Sequence, residues 1–98
     1  MIKLTPAQRQ HLKGLAHSLS PVVIIGEKGL TEAVLKESER ALKAHELIKI
    51  KAGSDEKETR NQWLEQICQA LDASPVQLIG KTLVIYRAAE KPVIQLPR

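Results

Sequence analysis

The sequence predicts an α/β fold of order α-β-α-β-α-β-β, in which a four-stranded mixed sheet packs with three helices. Segments with apolar residues at helical spacing alternate with short β-branched runs. Two successive strand-helix-strand crossovers require parallel strands, and a two-residue turn near the end of the chain adds an antiparallel one. The 98 residues, 43% hydrophobic and 27% charged, suffice for one domain with its own core and leave no room for a second.

The first helix is expected to begin at Thr5 and to end at Ser20-Pro21. Thr5-Pro6-Ala7-Gln8 combines a capping residue, a proline suited to the first helical position, and a glutamine three residues after the cap. Arg9, Lys13 and His17 are spaced by four along one flank and are expected to face solvent. The apolar stripe of this helix consists of Leu12, Leu15, Ala16 and Leu19.

The residues from Val22 to Ile25 are apolar and β-branched at each position, which predicts a central strand covered on both faces. A glycine loop follows, and Thr31 then caps the second helix, with Leu30 and Leu35 as its hydrophobic staple. The buried side of this helix is expected to consist of Val34, Leu35, Ser38, Leu42 and His45.

The second strand, from Leu47 to Ala52, alternates with period two, so that Lys49 and Lys51 share a face expected to meet water. Gly53-Ser54-Asp55 leads into the third helix. The apolar side of this helix consists of Trp63, Leu64, Ile67, Cys68 and Leu71.

The chain closes with a hairpin. Gly80-Lys81 forms its turn, between strands 76–79 and 82–87.

Composition narrows the classes of function. Cys68 is the only cysteine, so the chain can form neither an internal disulfide nor a cysteine-based zinc site, and a reducing compartment is expected. The amino terminus lacks a signal-peptide pattern and no run approaches the roughly 18 apolar residues of a membrane span, so a cytoplasmic location is expected. A monomer without a cofactor is expected.

Catalysis is not expected. His11, His17 and His45 accompany no recognisable nucleophile motif and no H-E-x-x-H, so structural roles are their default. Neither a P-loop nor a dinucleotide fingerprint occurs. With one Trp, one Tyr and no Phe, recognition of a partner must depend on charge and on the backbone.

The charge is unevenly distributed and points to a polyanion. The net charge is +4. Lys3, Arg9 and Lys13 precede the first acid, Glu27, whereas residues 55–72 hold five acids against Lys57 and Arg60. Lys49 and Lys51 can extend the cationic surface, although lysines on a strand also block edge pairing, and the sequence leaves both interpretations open.

The segment Gly26-Glu27-Lys28-Gly29, called the GEKG loop below, lies between the first strand and the second helix. Glycines beside a helix amino terminus allow a phosphate to approach unpaired backbone N–H groups, and G-x-x-G loops clamp nucleic-acid backbone in KH domains. A simple turn is the alternative. The candidate binding residues are Lys3, Arg9, Lys13, Gly26, Lys28, Gly29, Thr31, Lys49 and Lys51.

Four segments, LTPAQRQHLKGLAH, PVVIIGEKGLTEAVL, HELIKIKA and VQLIGKTLVIYR, in this order and at these intervals, resemble the CRM domain (chloroplast RNA splicing and ribosome maturation), in the small bacterial form of the YhbY family. The likeness covers residues 4–87 of a single domain, 1–98, and leaves a short tail, 88–98.

This resemblance implies an RNA-binding domain similar in fold to the carboxy-terminal domain of translation initiation factor three, with a role on precursors of the large ribosomal subunit. Gly26 and Gly29 carry over from the family motif as RNA contacts, whereas Lys28 rests on electrostatics. A module that docks a ribosomal protein or assembly factor through the lysine-bearing strand is the alternative.

Overall fold

The computed structural model describes residues 3–98 and has the predicted order of elements; Met1 and Ile2 lie outside the described residues. Three helices and a four-stranded mixed sheet confirm the predicted fold class. The helices are α1 (Pro6–Ala16), α2 (Glu32–His45) and α3 (Lys57–Leu71), and the strands are β1 (Val23–Ile25), β2 (Leu47–Ala52), β3 (Ser74–Ile79) and β4 (Thr82–Tyr86).

The sheet has the order β1-β2-β4-β3. β1 and β2 are parallel, and β4 is antiparallel to both of its neighbours. The predicted hairpin is confirmed, with Ile79 opposite Thr82 and a positive φ of 55° at Gly80. β1 lies at one end of this order, so within residues 3–98 it pairs with β2 alone.

The prediction that the first strand is central and covered on both faces is therefore wrong. β1 is an edge strand of three residues, and Val22 and Ile24 are 52% and 66% exposed. Only Val23 and Ile25 point into a core. A continuous β-branched run indicates a strand but not how many of its faces are covered. Among the described residues, no helix covers the face of β1 that carries Ile24.

Each face of the sheet has its own hydrophobic core. The core on the α2/α3 side contains Ile25, Ile50 and Leu83 from the strands, packed with Leu42 and Ile67 from the helices. The α1-side core is smaller and joins Leu12, Ala16, Leu47, Val84 and Tyr86. The molecule consequently has three layers: α1, the sheet, and the pair α2 and α3.

Helix α1 begins as predicted but ends early. The Thr5 hydroxyl accepts a hydrogen bond from the Gln8 amide and the Gln8 side chain accepts one from the Thr5 amide, which confirms the capping box. The helix stops at Ala16 rather than Ser20, where the Ser18 hydroxyl donates to the Leu15 carbonyl. Leu15 and Leu19, predicted in the apolar stripe, are 40% and 39% exposed: Leu19 lies beyond the end of the helix, and Leu15 lies on the flank of α1 that lines a groove with Ile94.

Helices α2 and α3 follow the predicted pattern with one exception. Thr31 caps α2 by accepting a hydrogen bond from the Val34 amide, and Ser38 and Leu42 are buried. The expectation that His45 is buried is wrong: it is exposed in the last residue of α2. By helical phase His45 lies at the margin of the stripe that contains Leu42, and the chain leaves the helix directly after it, with a φ of 64° at Glu46.

Residues 88–98 are fastened to the domain by Glu46, a role that the sequence did not indicate. The buried Glu46 carboxylate accepts hydrogen bonds from the amides of Ala89, Val93 and Ile94 at 2.8 to 2.9 Å. Ile94 and Leu96 pack against the α1-side core, and the Gln8 side chain donates to the Pro97 carbonyl. The tail is thus part of the packed structure.

Arg87, next to the last strand, has a structural role. Its guanidinium donates two hydrogen bonds to Glu39, at 2.6 and 3.1 Å, and one to the Leu71 carbonyl. The hydrogen bond from Arg87 holds the pKa of Glu39 below its ordinary value although burial opposes this. The pair joins α2 to the ends of α3 and β4.

Candidate nucleic-acid interface

Three loops meet at one edge of the sheet. The GEKG loop follows β1, Gly53 follows β2, and the β3–β4 hairpin returns beside them. The Gly53 amide donates to the Ile25 carbonyl at 2.8 Å, and the Ala52 amide donates to the Lys81 carbonyl at 2.7 Å. Ligands of open α/β sheets bind at this kind of edge, outside the carboxyl ends of the strands.

Gly53 packs closely against the backbone at the start of the GEKG loop. A Cβ atom at residue 53 would lie 2.4 Å from the carbonyl oxygen of Ile25 and 3.6 Å from the Cα of Gly26. The sequence marked Gly53 only as the lead into α3, because a close approach between two backbones leaves no local pattern. Gly53 is therefore a structural requirement of the site.

Replacing Gly53 by alanine is expected to destabilise the fold by about 1–3 kcal/mol, because backbone atoms cannot yield to the added methyl group. Thermal or denaturant unfolding measures the loss. Gly14→Ala is the matched control, since a Cβ there meets nothing within 4 Å, and replacing this helical glycine should raise stability by up to about 1 kcal/mol. Equal stabilities for Gly53→Ala and the wild type would contradict the close approach.

The two glycines of the GEKG loop have different reasons to be glycine. Gly29 has a φ of 74°, and its amide donates to the Gly26 carbonyl at 3.0 Å to close the turn. Gly26 has no positive φ, and a Cβ there would meet nothing within 4 Å. The fold needs a glycine at residue 29, whereas at residue 26 the missing side chain only leaves space open on the outside of the loop.

The backbone amides expected to meet an anion at Thr31 are partly engaged inside the protein. The Thr31 amide donates to the Gly29 carbonyl at 3.0 Å, and the Thr31 hydroxyl accepts from Val34. Thr31 therefore begins the helix rather than offering a free donor. Among residues 3–98, no acceptor is recorded for the amides of Glu27, Lys28, Glu32 and Ala33. Two of these N–H groups belong to the GEKG loop. The other two belong to the first turn of α2, at the positive end of its dipole.

Trp63 supports the loop from the α3 side. Its ring carbon Cζ2 lies 3.5 Å from the position of a Cβ at Gly29. The indole also packs against the α2/α3-side core, as the sequence predicted, and it is half-buried. A Cβ at residue 29 would make an ordinary van der Waals contact with this ring, so the positive φ is what favours glycine there.

Lys49 and Lys51 project to the α1 side of the sheet. Lys49 lies opposite Val84, a member of the α1-side core, and Lys51 lies opposite Thr82. The expectation that this face of β2 meets water holds for Lys51, which is exposed, and only partly for Lys49, which is half-buried. Leu47 on the same face is buried under α1.

Helix α1 crosses the sheet in contact with β2, β4 and β3, and its two flanks differ. One flank carries Gln8, which bonds the tail at Pro97, and Leu15, which lines a groove with Ile94.

The other flank of α1 is basic. By helical phase it carries Arg9 and Lys13, both of which are half-buried. They are thus turned away from the flank that contacts the tail. Lys3 is exposed ahead of α1, next to the buried Leu4.

The α3 side of the same edge has an excess of acids, because residues 55–72 hold five acids and the two bases Lys57 and Arg60. Asp55, Glu56 and Glu58 surround the start of α3. Asp55 forms an ion pair with Lys81, whose hydrogen bond lowers the pKa of that exposed carboxyl. The carboxylates repel a polyanion from this side. The cationic approach to the GEKG loop therefore lies on the α1 side.

The remaining reactive residue types do not form a second site in the part of the chain described. Burial raises the pKa of the Cys68 thiol to about 12, so it stays protonated. Within residues 3–98, no three His, Cys, Asp or Glu side chains are grouped so as to hold a metal ion. No helix in the same range has the length and apolar character needed to cross a bilayer.

Both the sequence and the fold of this chain match those of known proteins. Residues 4–87 match the CRS1 / YhbY (CRM) domain. The chain belongs to this family. A CRM relative from Haemophilus influenzae named "RNA-binding protein" is 50% identical over 98 residues, covering 100% of this chain and 99% of the relative. Another, from Pseudomonas aeruginosa, named a "Probable RNA-binding protein", is 45% identical over 91% of this chain and 86% of its own.

A solved structure shows the same CRM fold. The solution structure of a Staphylococcus aureus protein superposes with a TM-score of 0.86 at 33% sequence identity, over 97% of this chain and 100% of the other. The family resemblance and the fold predicted from the sequence are thereby confirmed.

Proposed function

We propose that this chain is an RNA-binding protein that holds structured RNA at the GEKG loop and along the cationic surface beside α1. The observation that carries the proposal is Gly26, a glycine that the fold does not require, placed beside four amides that have no acceptor among residues 3–98. The two relatives described above are named as RNA-binding or probable RNA-binding proteins, which supports RNA as the polyanion that binds here.

In this proposal the phosphate chain approaches the loop at Gly26. The amides of Glu27, Lys28, Glu32 and Ala33 donate to phosphate oxygens, where the α2 dipole favours negative charge. Lys28 adds a mobile cation, and the surface continues toward Lys51. Contacts of this kind recognise the backbone and shape of RNA rather than its base sequence.

The lysine and arginine side chains on the α1 side extend the same interface. Arg9, Lys13, Lys49 and Lys51 supply charge along the path away from the loop, and Lys3 adds charge at the start of α1. The acidic start of α3 directs the RNA to this side. The resemblance to the stand-alone bacterial CRM proteins supports a precursor of the large ribosomal subunit as the RNA, a role in its assembly, and a cytoplasmic location.

Replacing Lys28 by alanine is expected to weaken RNA binding and to flatten its salt dependence. Each neutralised phosphate contributes roughly 0.7 to 0.9 to the slope of log affinity against log salt, so the slope should fall by about that amount. Titration of a labelled RNA hairpin over a salt series measures it. Lys57→Ala, at the acidic start of α3, is the matched control and should leave the slope unchanged.

An unchanged slope in Lys28→Ala would remove this lysine from the interface. The competing function, a module that docks a ribosomal protein or assembly factor, makes a different prediction for the same titration. Its affinity for an RNA-free partner would persist at high salt, whereas the affinity for RNA would be weak and equal in both variants.

A further inference from the structure

Part of the α1-side face of the sheet is exposed, and a single row of side chains crosses that part. The strand registers place Ile24 beside Lys51, Lys51 beside Thr82, and Thr82 beside Ile79, all on the side opposite the α2/α3 core. We call these four residues the open row. At about 4.8 Å per strand, the row is about 14 Å long.

Three members of the open row are exposed and Thr82 is half-buried, although two of the exposed members are large and apolar. Ile24 and Ile79 are 66% and 55% exposed, and Lys51 is exposed between them. Among the described residues, neither isoleucine belongs to the α2/α3-side core or to the α1-side core. In addition, the described residues on this face of the four strands include no acid.

The row continues directly from the GEKG loop. Ile24 lies two residues before Gly26, and Lys51 lies two residues before Gly53, whose amide bonds the Ile25 carbonyl. RNA held at the loop can leave it over the acidic start of α3 or over this cationic face. Electrostatics favours the open row.

The chemistry of the row selects the form of the RNA. Recognition of single strands relies on aromatic rings that stack with unpaired bases. The two aromatic side chains lie elsewhere, Trp63 beneath the GEKG loop and Tyr86 buried under α1. Aliphatic side chains, a hydroxyl and an ammonium instead suit riboses, 2′-hydroxyls and phosphates, which the wide, shallow minor groove of an RNA double helix displays.

We infer that the open row is a second contact, which takes the minor groove of double-stranded RNA: Ile24 and Ile79 pack on ribose, Thr82 bonds a 2′-hydroxyl, and Lys51 meets phosphate. The inference rests on the proposed RNA-binding function and names the form of RNA that the site accepts.

The test compares an RNA duplex, one of its single strands, and a DNA duplex of the same sequence. The RNA duplex is expected to bind at least about tenfold more tightly than either of the others. The double variant Ile24→Ser/Ile79→Ser should lose about tenfold in affinity for the RNA duplex. Val93→Ser, at a tail residue that is 83% exposed, is the control and should bind as the wild type does.

Thr82→Val provides an independent readout, because it keeps the side-chain shape and removes the hydroxyl. It should narrow the preference for the RNA duplex over the DNA duplex. Circular dichroism of each variant, compared with the wild type, verifies the fold.

Two results would overturn the inference. One is a single strand that binds as tightly as the duplex. The other is undiminished RNA affinity in the double isoleucine variant, which would remove the two side chains from the RNA contact. If Gly26→Asp still loses RNA affinity in that case, the proposed function stands without the open row; if neither variant loses affinity, the proposed function itself fails.

Discussion

Replacing Gly26 by aspartate is expected to lower the affinity for structured RNA about 100-fold, equivalent to about 2.7 kcal/mol. The carboxylate would occupy the open space where phosphate approaches and would repel it. Stability should change by no more than about 0.5 kcal/mol, because a Cβ at this residue meets nothing within 4 Å and the backbone has no positive φ. RNA titration and denaturant unfolding of the same preparation measure the two quantities.

Gly14→Asp is the matched control for net charge. It makes the same change of one unit at a glycine that also faces open space, on helix α1. Its affinity for RNA should stay within about threefold of the wild type. An equal loss in both variants would show that net charge alone is responsible, and full affinity in Gly26→Asp would remove the GEKG loop from the interface.

The largest expected effect on stability comes from Glu46. Replacing Glu46 by alanine leaves the amides of Ala89, Val93 and Ile94 without their acceptor, and the free energy of unfolding should fall by about 3–5 kcal/mol. Glu46→Gly should lose roughly 1 kcal/mol less, since glycine relieves the φ of 64° at this residue. Denaturant unfolding measures both, with the exposed Glu37→Ala as control.

The contribution of Glu46 should also depend on pH. Burial opposes its ionisation, but the three amide hydrogen bonds together hold its pKa below the ordinary value of 4.5. A depressed pKa gives stability that is present above pH 4.5 and is lost as the pH falls through the folded-state value. Glu39 adds a change in the same direction, so the pH dependence of Glu46→Gln should be shallower than that of the wild type, not absent. An unaltered profile would contradict the role of this carboxylate.

The sequence predicted the fold because local signals agreed at most elements. The capping box at Thr5, the cap at Thr31 and the glycine of the hairpin each determine structure within a few residues, and all three are found. The failures concern long-range context. The exposure of Ile24 depends on which strand returns beside β2 and on how far α1 reaches, and neither is encoded in the four residues of the strand.

The candidate site was predictable in its centre and not in its support. Gly26 and Lys28 follow from motif and charge, whereas Gly53 and Trp63 act through contacts with residues distant in sequence. The amide donors are also placed differently from the prediction. The sequence suggested the amides leading to Thr31, but the turn of the GEKG loop engages the Thr31 amide in a hydrogen bond to Gly29. The pairing of Glu46 with the tail spans more than 40 residues, and a buried carboxylate after a helix has no sequence signature.

Amide chemical-shift mapping of the ¹⁵N-labelled chain during titration with an RNA duplex tests the central claim most directly. The account predicts that the amides of Glu27, Lys28, Glu32 and Ala33 shift most, with smaller changes on β2 and α1 and little change along α3. Shifts centred on α3 or on the tail, with the GEKG loop unaffected, would contradict it.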